Sequence, residues 1–370
     1  MVDGKIFICL PDFSGGGAEK VMMTLIKAFA VEHEITCVVL NENGPFIEKL
    51  PSVCHLKNLN CFSAKQALIP MIRLFRVEKP EIIFSTLGYF NFVLMLALWL
   101  SGHRPRRVVL REANSPASTI DSLAAKWIGK VGYRFLYNQA NHVVCNAQYV
   151  SSQLVDFGVK SERIVVIPNP VDVREIHRLA NKKMIFPKFN NPSLPLFVSI
   201  GRLSTQKGMD RLIDWFSLME IGANLIILGD GPERLDLEKK ISNHGLNDRV
   251  KIMNFQKNPF PYMKRADAVL LGSLWEGLPN VALEALALGK TVIASRECKS
   301  LKHMKDTKGI PDLIIAATDK AFVEELDNIA RIRSERGTPR LAKLCSSLPS
   351  GFDVQKVSSK YGSILFGDCV

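Results

Sequence analysis

The segment Leu274-Trp275-Glu276-Gly277-Leu278-Pro279-Asn280-Val281-Ala282-Leu283-Glu284-Ala285-Leu286-Ala287-Leu288-Gly289 sets two carboxylates eight residues apart in contrasting surroundings. Chance supplies that spacing often, so the context has to decide. Pro279 suits the first turn of a helix, which leaves Glu276 on a loop and Glu284 inside an otherwise apolar helix. A carboxylate among Val281, Ala282, Leu283, Ala285 and Leu286 is too costly to bury without a partner. Ionised carboxylates only accept hydrogen bonds, so their complement is a set of hydroxyl donors: a ribose diol for Glu284, hexose hydroxyls for Glu276. The main-chain N–H groups within residues 277–280, of which Pro279 has none, would meanwhile face a phosphate.

Two further constellations point the same way. In Gly201-Arg202-Leu203-Ser204-Thr205-Gln206-Lys207-Gly208, a planar guanidinium and a point-charge ammonium flank a strand-to-helix loop, as a diphosphate requires. The bland alternative is a solvated pair of charges. It conflicts with placing cations at the positive end of a helix dipole unless an anion sits there. Phe13-Ser14-Gly15-Gly16-Gly17-Ala18-Glu19 is a glycine cluster that lets backbone approach a ligand, though by itself it is equally well a tight turn. It carries neither the dinucleotide spacing nor the lysine-hydroxyl pair of a P-loop.

These groups need a scaffold, and the flanking pattern supplies one. Short β-branched runs at 5–10, 35–40, 82–86, 107–110, 142–145 and 164–167 alternate with amphipathic stretches at 19–30, 65–76, 123–138 and 150–157. Strands separated by ten or more helical residues imply right-handed crossovers and parallel sheets covered on both faces. The alternation pauses after Pro168-Asn169-Pro170 and through a polar, strandless stretch to Pro195. It resumes with strands at 196–200, 224–228, 250–253, 268–271, 291–294 and 313–315, and helices at 208–219, 233–243 and 280–287. The expected fold is α/β: two Rossmann-like, doubly wound domains, 1–170 and 171–352, with ligand bound in a cleft between them at the carboxyl ends of the strands. At 370 residues the chain is long enough for two such cores.

Composition narrows the class. An apolar fraction of 47% and a charged fraction of 23% fit an ordinary globular protein. The eight cysteines stand singly, without metal-ligand spacing, and are read as reduced thiols. No signal peptide is read at the N-terminus. Residues 82–100 run without a formal charge for a length that could cross a membrane, but Ser85-Thr86-Leu87-Gly88 divides them into a strand, a turn and a buried helix equally well. The net charge of +12 is spread along the chain, but residues 101–135 carry Arg104, Arg106, Arg107, Arg111, Lys126, Lys130 and Arg134 against only Glu112 and Asp121, either a solvated face or one attracted to an anionic surface. Nucleic acid is disfavoured, because aromatics do not interleave with the basic residues.

The order of Gly-Gly-Ala-Glu near the N-terminus, Gly-Arg-Leu-x-x-Gln-Lys-Gly, Leu-Gly-Asp-Gly-Pro at 228–232 and Trp-Glu-Gly-Leu-Pro-Asn-Val-Ala-Leu-Glu-Ala resembles the retaining glycosyltransferases of family 4, glycosyl transferases group 1, with the GT-B fold. The likeness covers nearly the whole chain and is strongest between 196 and 294. It implies that Arg202 and Lys207 bind the diphosphate of a nucleotide-sugar donor, Glu284 the ribose and Glu276 the sugar hydroxyls, with Glu276, Arg202 and Lys207 the catalytic set. Main chain at Phe255-Gln256 would lie by the base. Gly201, Gly229, Gly277, Leu278, Pro279, Asn280 and Val281 would complete the donor site, and Gly16-Gly17 would approach the phosphate from across the cleft.

The family also implies that no metal and no cofactor is needed, that configuration is retained without a protein nucleophile, and that a last helix within 353–370 crosses back onto the first domain. The implied reaction moves a hexose or N-acetylhexosamine, from UDP in the first instance, to a lipid-linked or cell-surface glycan in bacterial polysaccharide or lipopolysaccharide assembly. The implied location is cytoplasmic, peripheral at the inner face of the membrane. Two departures stand out. Arg111-Glu112-Ala113-Asn114 replaces a common histidine segment on the acceptor side, so Arg111, Glu112 and Asn114 are the acceptor candidates. Ser295-Arg296-Glu297-Cys298-Lys299-Ser300 replaces a glycine-containing loop beside the donor. The competing readings are a sugar-nucleotide epimerase or phosphorylase of the same fold, and a non-catalytic sugar-nucleotide-binding subunit.

Overall fold

In a computed structural model the chain is described over residues 4–121, 126–336 and 346–367. It divides into two compact units. One gathers the residues up to Pro170 with those from Gly351 on, and the other runs Val171–Ser350.

The first unit is built on a seven-stranded sheet in the order β3-β2-β1-β4-β5-β6-β7. Its strands are β1 (Ile6–Leu10), β2 (Ile35–Val39), β3 (His55–Asn58), β4 (Ile82–Thr86), β5 (Arg107–Glu112), β6 (His142–Cys145) and β7 (Ile164–Val166). The second carries six strands in the order β10-β9-β8-β11-β12-β13. These are β8 (Leu196–Ile200), β9 (Asn224–Leu228), β10 (Val250–Met253), β11 (Ala268–Leu271), β12 (Thr291–Ser295) and β13 (Leu313–Ala316). All pairings are parallel. Central strands such as β1 and β9 are buried at every position, because helices cover both faces; this is why their sequences are continuous apolar runs rather than alternating ones.

Each sheet reverses its strand order once, between β1 and β4 and between β8 and β11. Loops leaving the carboxyl ends at such a switch point diverge and open a crevice for a ligand. The glycine cluster follows β1. The Arg202–Lys207 loop follows β8, and the Glu276 segment follows β11.

Residues 82–100 form β4, the turn residue Leu87 and most of the helix Gly88–Ser101. Among the described residues no helix is long and apolar enough to cross a membrane. The helix expected over 123–138 is described as Lys126–Phe135, with the residues before it outside the described set. Two elements depart from the expected pattern. The edge strand β3 is half exposed and reads His-Leu-Lys-Asn, so it lacks the apolar run that marks its neighbours. The stretch after Pro170, strandless as expected, contains the helix Val173–Ala180. Asp172 caps it by accepting the Glu175 N–H at 2.9 Å, and the Asp-x-x-Glu spacing was its sequence signal.

The final helix, Val354–Phe366, belongs to the first unit. Asp353 caps its start, Tyr361 lies 5.5 Å from Phe84 and Phe366 meets Phe29 edge-on at 5.3 Å.

Candidate active site

In the second unit the two loops of the switch point are welded backbone to backbone. Gly208 has φ +57°, and a Cβ there would stand 2.1 Å from the Gly272 carbonyl oxygen, so only glycine fits both the dihedral and the space. Gly229 is equally confined, since a Cβ would meet the Gly201 carbonyl oxygen at 1.9 Å. Hydrogen bonds finish the joint: Leu274 N–H donates to the Gln206 carbonyl at 2.9 Å, and Gln206 Nε2 to the Trp275 carbonyl at 3.1 Å. The two segments that carry Lys207 and Glu276, 69 residues apart in sequence, are thereby fixed as one surface.

On that surface Lys207 Nζ donates to Glu276 Oε1. The lysine side chain is 24% exposed and the carboxylate 7%. Ser273 Oγ donates to the same oxygen at 2.9 Å. Lys207, expected to face a diphosphate, thus spends its charge on Glu276. Arg202 behaves differently: it is exposed and forms no ion pair among the described residues. Arg202 thus adds an exposed guanidinium to the loop that carries the half-buried, paired Lys207.

Most of the remaining donor-side candidates belong to the same unit. Glu276, Gly277, Leu278 and Pro279 are buried, Asn280 and Val281 half-buried. Pro279 sits just before the helix Asn280–Ala287, at its N-cap, rather than within the first turn as expected. Glu284 is buried on the second turn with an interaction partner in the chain. Phe255 is 41% exposed after β10, and its N–H donates to Asp230 Oδ2 at 2.7 Å. Asp230, within the Leu-Gly-Asp-Gly-Pro motif but absent from the expected site, therefore sets the height of the Phe255-Gln256 loop. Gly201, Gly229, Phe255, Gln256, Glu276 and Glu284 all lie in this unit. Gly16 and Gly17 lie in the other, at the N-cap and first position of the helix Gly17–Phe29.

The loop after β12 is held by an ion pair to the helix that follows β8. Glu297 pairs with Arg211 at 2.9 Å, whose guanidinium lies over Trp215 at 4.4 Å. Burial opposes ionisation of Glu297, but the Arg211 hydrogen bond wins and holds its pKa below the usual carboxylate value. Burial pushes the Cys298 thiol up to about 12, so it is a packed thiol rather than a nucleophile.

The acceptor candidates are placed differently from expectation. Arg111 and Glu112 end β5 and point to opposite faces of the sheet, both in the interior at 1% and 0% exposure. Arg111 donates to Thr86 Oγ1 at 3.2 Å, Asn169 Oδ1 at 2.6 Å and the Tyr361 hydroxyl at 3.2 Å. It ties two strands to the final helix and to the last residues of the unit, and so leaves the basic surface to which it was assigned. Arg107 also turns inward, donating to the Ile364 carbonyl at 2.6 Å. Of the rest, Arg104, Arg106, Lys130 and Arg134 are exposed, and Lys126 lies outside the described side chains. Asn114 is half-buried, the one acceptor candidate with a partly open side chain.

Glu112 accepts from the Tyr133 hydroxyl at 3.1 Å and the Tyr137 hydroxyl at 2.7 Å. Burial pushes its pKa up to about 7, against the hydrogen bonds of Tyr137 and Tyr133 and the charge of Arg111. The folded chain therefore holds this proton more tightly than the unfolded chain, whose carboxyl titrates near 4.5. Stability falls as pH rises through that window and is level above it. Glu112→Gln, neutral throughout, removes the slope: urea unfolding at pH 5 and pH 8 should differ between variant and native chain by on the order of 2–3 kcal/mol. Identical pH dependence in the two proteins contradicts the assignment.

Two Rossmann-like units, the second with a cation-and-carboxylate surface at its switch point, match the GT-B architecture of glycosyltransferases. The chain matches Glycosyltransferase Family 4 over residues 15–175 and Glycosyl transferases group 1 over residues 181–338. It belongs to family 4 of the glycosyltransferases.

Among its relatives, the amylovoran biosynthesis glycosyltransferase AmsD of Erwinia amylovora is 24% identical, with 98% of this chain and 99% of that one covered. An N-acetylgalactosaminyltransferase of Campylobacter jejuni, named for an N-acetylgalactosamine-N,N'-diacetylbacillosaminyl-diphospho-undecaprenol acceptor, is 24% identical over 79% of this chain and 80% of its own. Of solved structures, Anabaena HepE in complex with UDP and glucose superposes with a TM-score of 0.75 at 17% identity, covering 98% of this chain and 99% of that one.

Proposed function

We propose that the chain transfers a hexosyl or N-acetylhexosaminyl residue from a UDP-sugar to a lipid-linked or cell-surface glycan, with retention of configuration and without a metal ion. The observation that carries this reading is the Lys207–Glu276 pair beside an exposed Arg202 at the β8/β11 switch point. Arg202 and Lys207 neutralise the departing diphosphate, aided by the N-terminus of the helix Asn280–Ala287; fixed donors aimed at developing charge replace a bound cation. Glu276 accepts from donor sugar hydroxyls, and Glu284 from the ribose. Neither acts as a covalent nucleophile, and the acceptor attacks the face from which the diphosphate leaves. UDP in the HepE complexes and the undecaprenol-linked acceptor named for the Campylobacter relative support the choice of donor and acceptor.

A thermal-shift screen of UDP-, GDP- and ADP-sugars tests the donor. A ligand held only by the folded chain at 100 times its Kd adds about 2.7 kcal/mol, so UDP-sugars should raise the transition and the others should not. No shift with any of them defeats the proposal.

The same reading places the chain at the inner face of the membrane. The helix Lys126–Phe135 exposes Lys130, Val131, Arg134 and Phe135 together, basic and apolar stripes of the kind that settle among anionic headgroups. Vesicles containing phosphatidylglycerol should sediment the protein and pure phosphatidylcholine vesicles should not, with Val131→Ser/Phe135→Ser weakening the effect. Equal binding to both kinds, or to neither, speaks against attachment.

A further inference from the structure

Glu276 is held more firmly than the recognition of a sugar hydroxyl alone demands. Among the described residues both hydrogen bonds to its carboxylate end on Oε1, from Lys207 Nζ and from Ser273 Oγ. Ser273 is itself immobilised. It is 2% exposed, it follows the welded Gly272, and its carbonyl accepts the Ser295 hydroxyl at 2.9 Å. Ser295 is the last residue of β12, also 2% exposed, and opens the loop where this chain departs from the family's glycine-containing pattern. A hydroxyl has one proton to donate: that of Ser295 goes to the Ser273 main chain and that of Ser273 to Glu276. The Cys298 thiol, 4.0 Å from the same carbonyl, adds at most a weak contact.

We infer that Ser295 and Ser273 form a positioning relay that fixes Oε1 of Glu276 and leaves Oε2 for the donor sugar. The relay rests on the reading of Glu276 given above. Lys207 cannot do this work throughout the reaction, because the incoming diphosphate competes for its ammonium. When that happens Ser273 is the partner that stays. Its short, buried side chain has little rotamer freedom to lose, so it holds the carboxylate without needing the charge that Lys207 withdraws.

Calorimetric titration with UDP and with UDP-glucose, UDP-galactose, UDP-N-acetylglucosamine and UDP-N-acetylgalactosamine separates sugar contacts from nucleotide contacts. Ser273→Ala should bind UDP as the native chain does but lose about tenfold to a hundredfold in affinity for the preferred UDP-sugar, the loss of a hydrogen bond to a charged group. Ser273→Thr, which keeps the hydroxyl, should restore the native ratio of UDP-sugar to UDP affinity. A merely structural serine would weaken UDP and UDP-sugar together. Melting temperatures are read first, and Ser295→Ala, one bond further from the carboxylate, carries the same comparison if Ser273→Ala fails to fold.

The relay is overturned if the alanine variants keep the native ratio, or if Ser273→Thr loses as much as Ser273→Ala. Glu276→Gln tells the two levels apart. If it too keeps the native ratio, the sugar role of Glu276 falls and the relay with it; if it loses the ratio while the serine variants keep it, only the relay falls.

Discussion

Replacing Glu276 with glutamine lowers sugar transfer by about 10²–10³-fold while leaving UDP affinity nearly unchanged. The substitution keeps the volume of a buried side chain, 7% exposed, so packing is preserved and the effect is chemical. An amide removes the charge that Lys207 neutralises. It also presents N–H donors where hydroxyl donors must be accepted. The loss should fall on UDP-sugar affinity and on kcat together, because the contact is made with the bound donor and tightens further as charge develops at the reacting carbon. Steady-state kinetics with a UDP-sugar, together with UDP titration, check both halves. An equal loss in UDP affinity would move Glu276 from the sugar to the nucleotide.

Lys207→Ala is the more damaging change and should reduce kcat/KM by about 10³-fold or more, since it removes two things at once. It takes a cation from the departing diphosphate, and it strips the ion partner from a buried carboxylate, which is costly in itself. Arginine should rescue poorly, because the ammonium is a point charge bonded to a single carboxylate oxygen and a planar fork does not reproduce that contact. The decisive signature is coupling. Since Lys207 and Glu276 touch, the double variant Lys207→Ala/Glu276→Gln should cost clearly less than the product of the single losses. Fully multiplicative losses would show that the pair does not act as a unit.

Much of this architecture was legible in the sequence because the central strands of doubly wound sheets are continuous apolar runs, and β4, β6, β8, β9, β10 and β11 fall where the pattern put them. β3 was not legible: an edge strand paired on one side needs no apolar run, and His55-Leu56-Lys57-Asn58 provides none. The helix Val173–Ala180 was overlooked although Val173, Ile176 and Ala180 line one side and its capping spacing was present, because at eight residues it is short and set in a polar stretch.

At the site, residue types and spacing were enough to single out Arg202, Lys207, Glu276 and Glu284, but not who holds whom. The Lys207–Glu276 pair joins two loops that only strand order brings together. Ser295 and Asp230 bond to main-chain atoms of Ser273 and Phe255, whose positions no spacing rule records. Arg111 shows the converse case. Its charge suggested a surface, whereas its place at the penultimate position of a central strand sends it inward to Thr86, Asn169 and Tyr361.

The central claim is transfer of a sugar from a nucleotide donor to a glycan acceptor. Its most direct test is UDP release from a UDP-sugar, measured with and without an undecaprenyl-diphosphate-linked glycan. The account predicts that UDP appears stoichiometrically with elongated glycolipid and only at a slow hydrolytic rate when the acceptor is withheld. UDP release that is indifferent to acceptor, with no glycolipid lengthened, would contradict it.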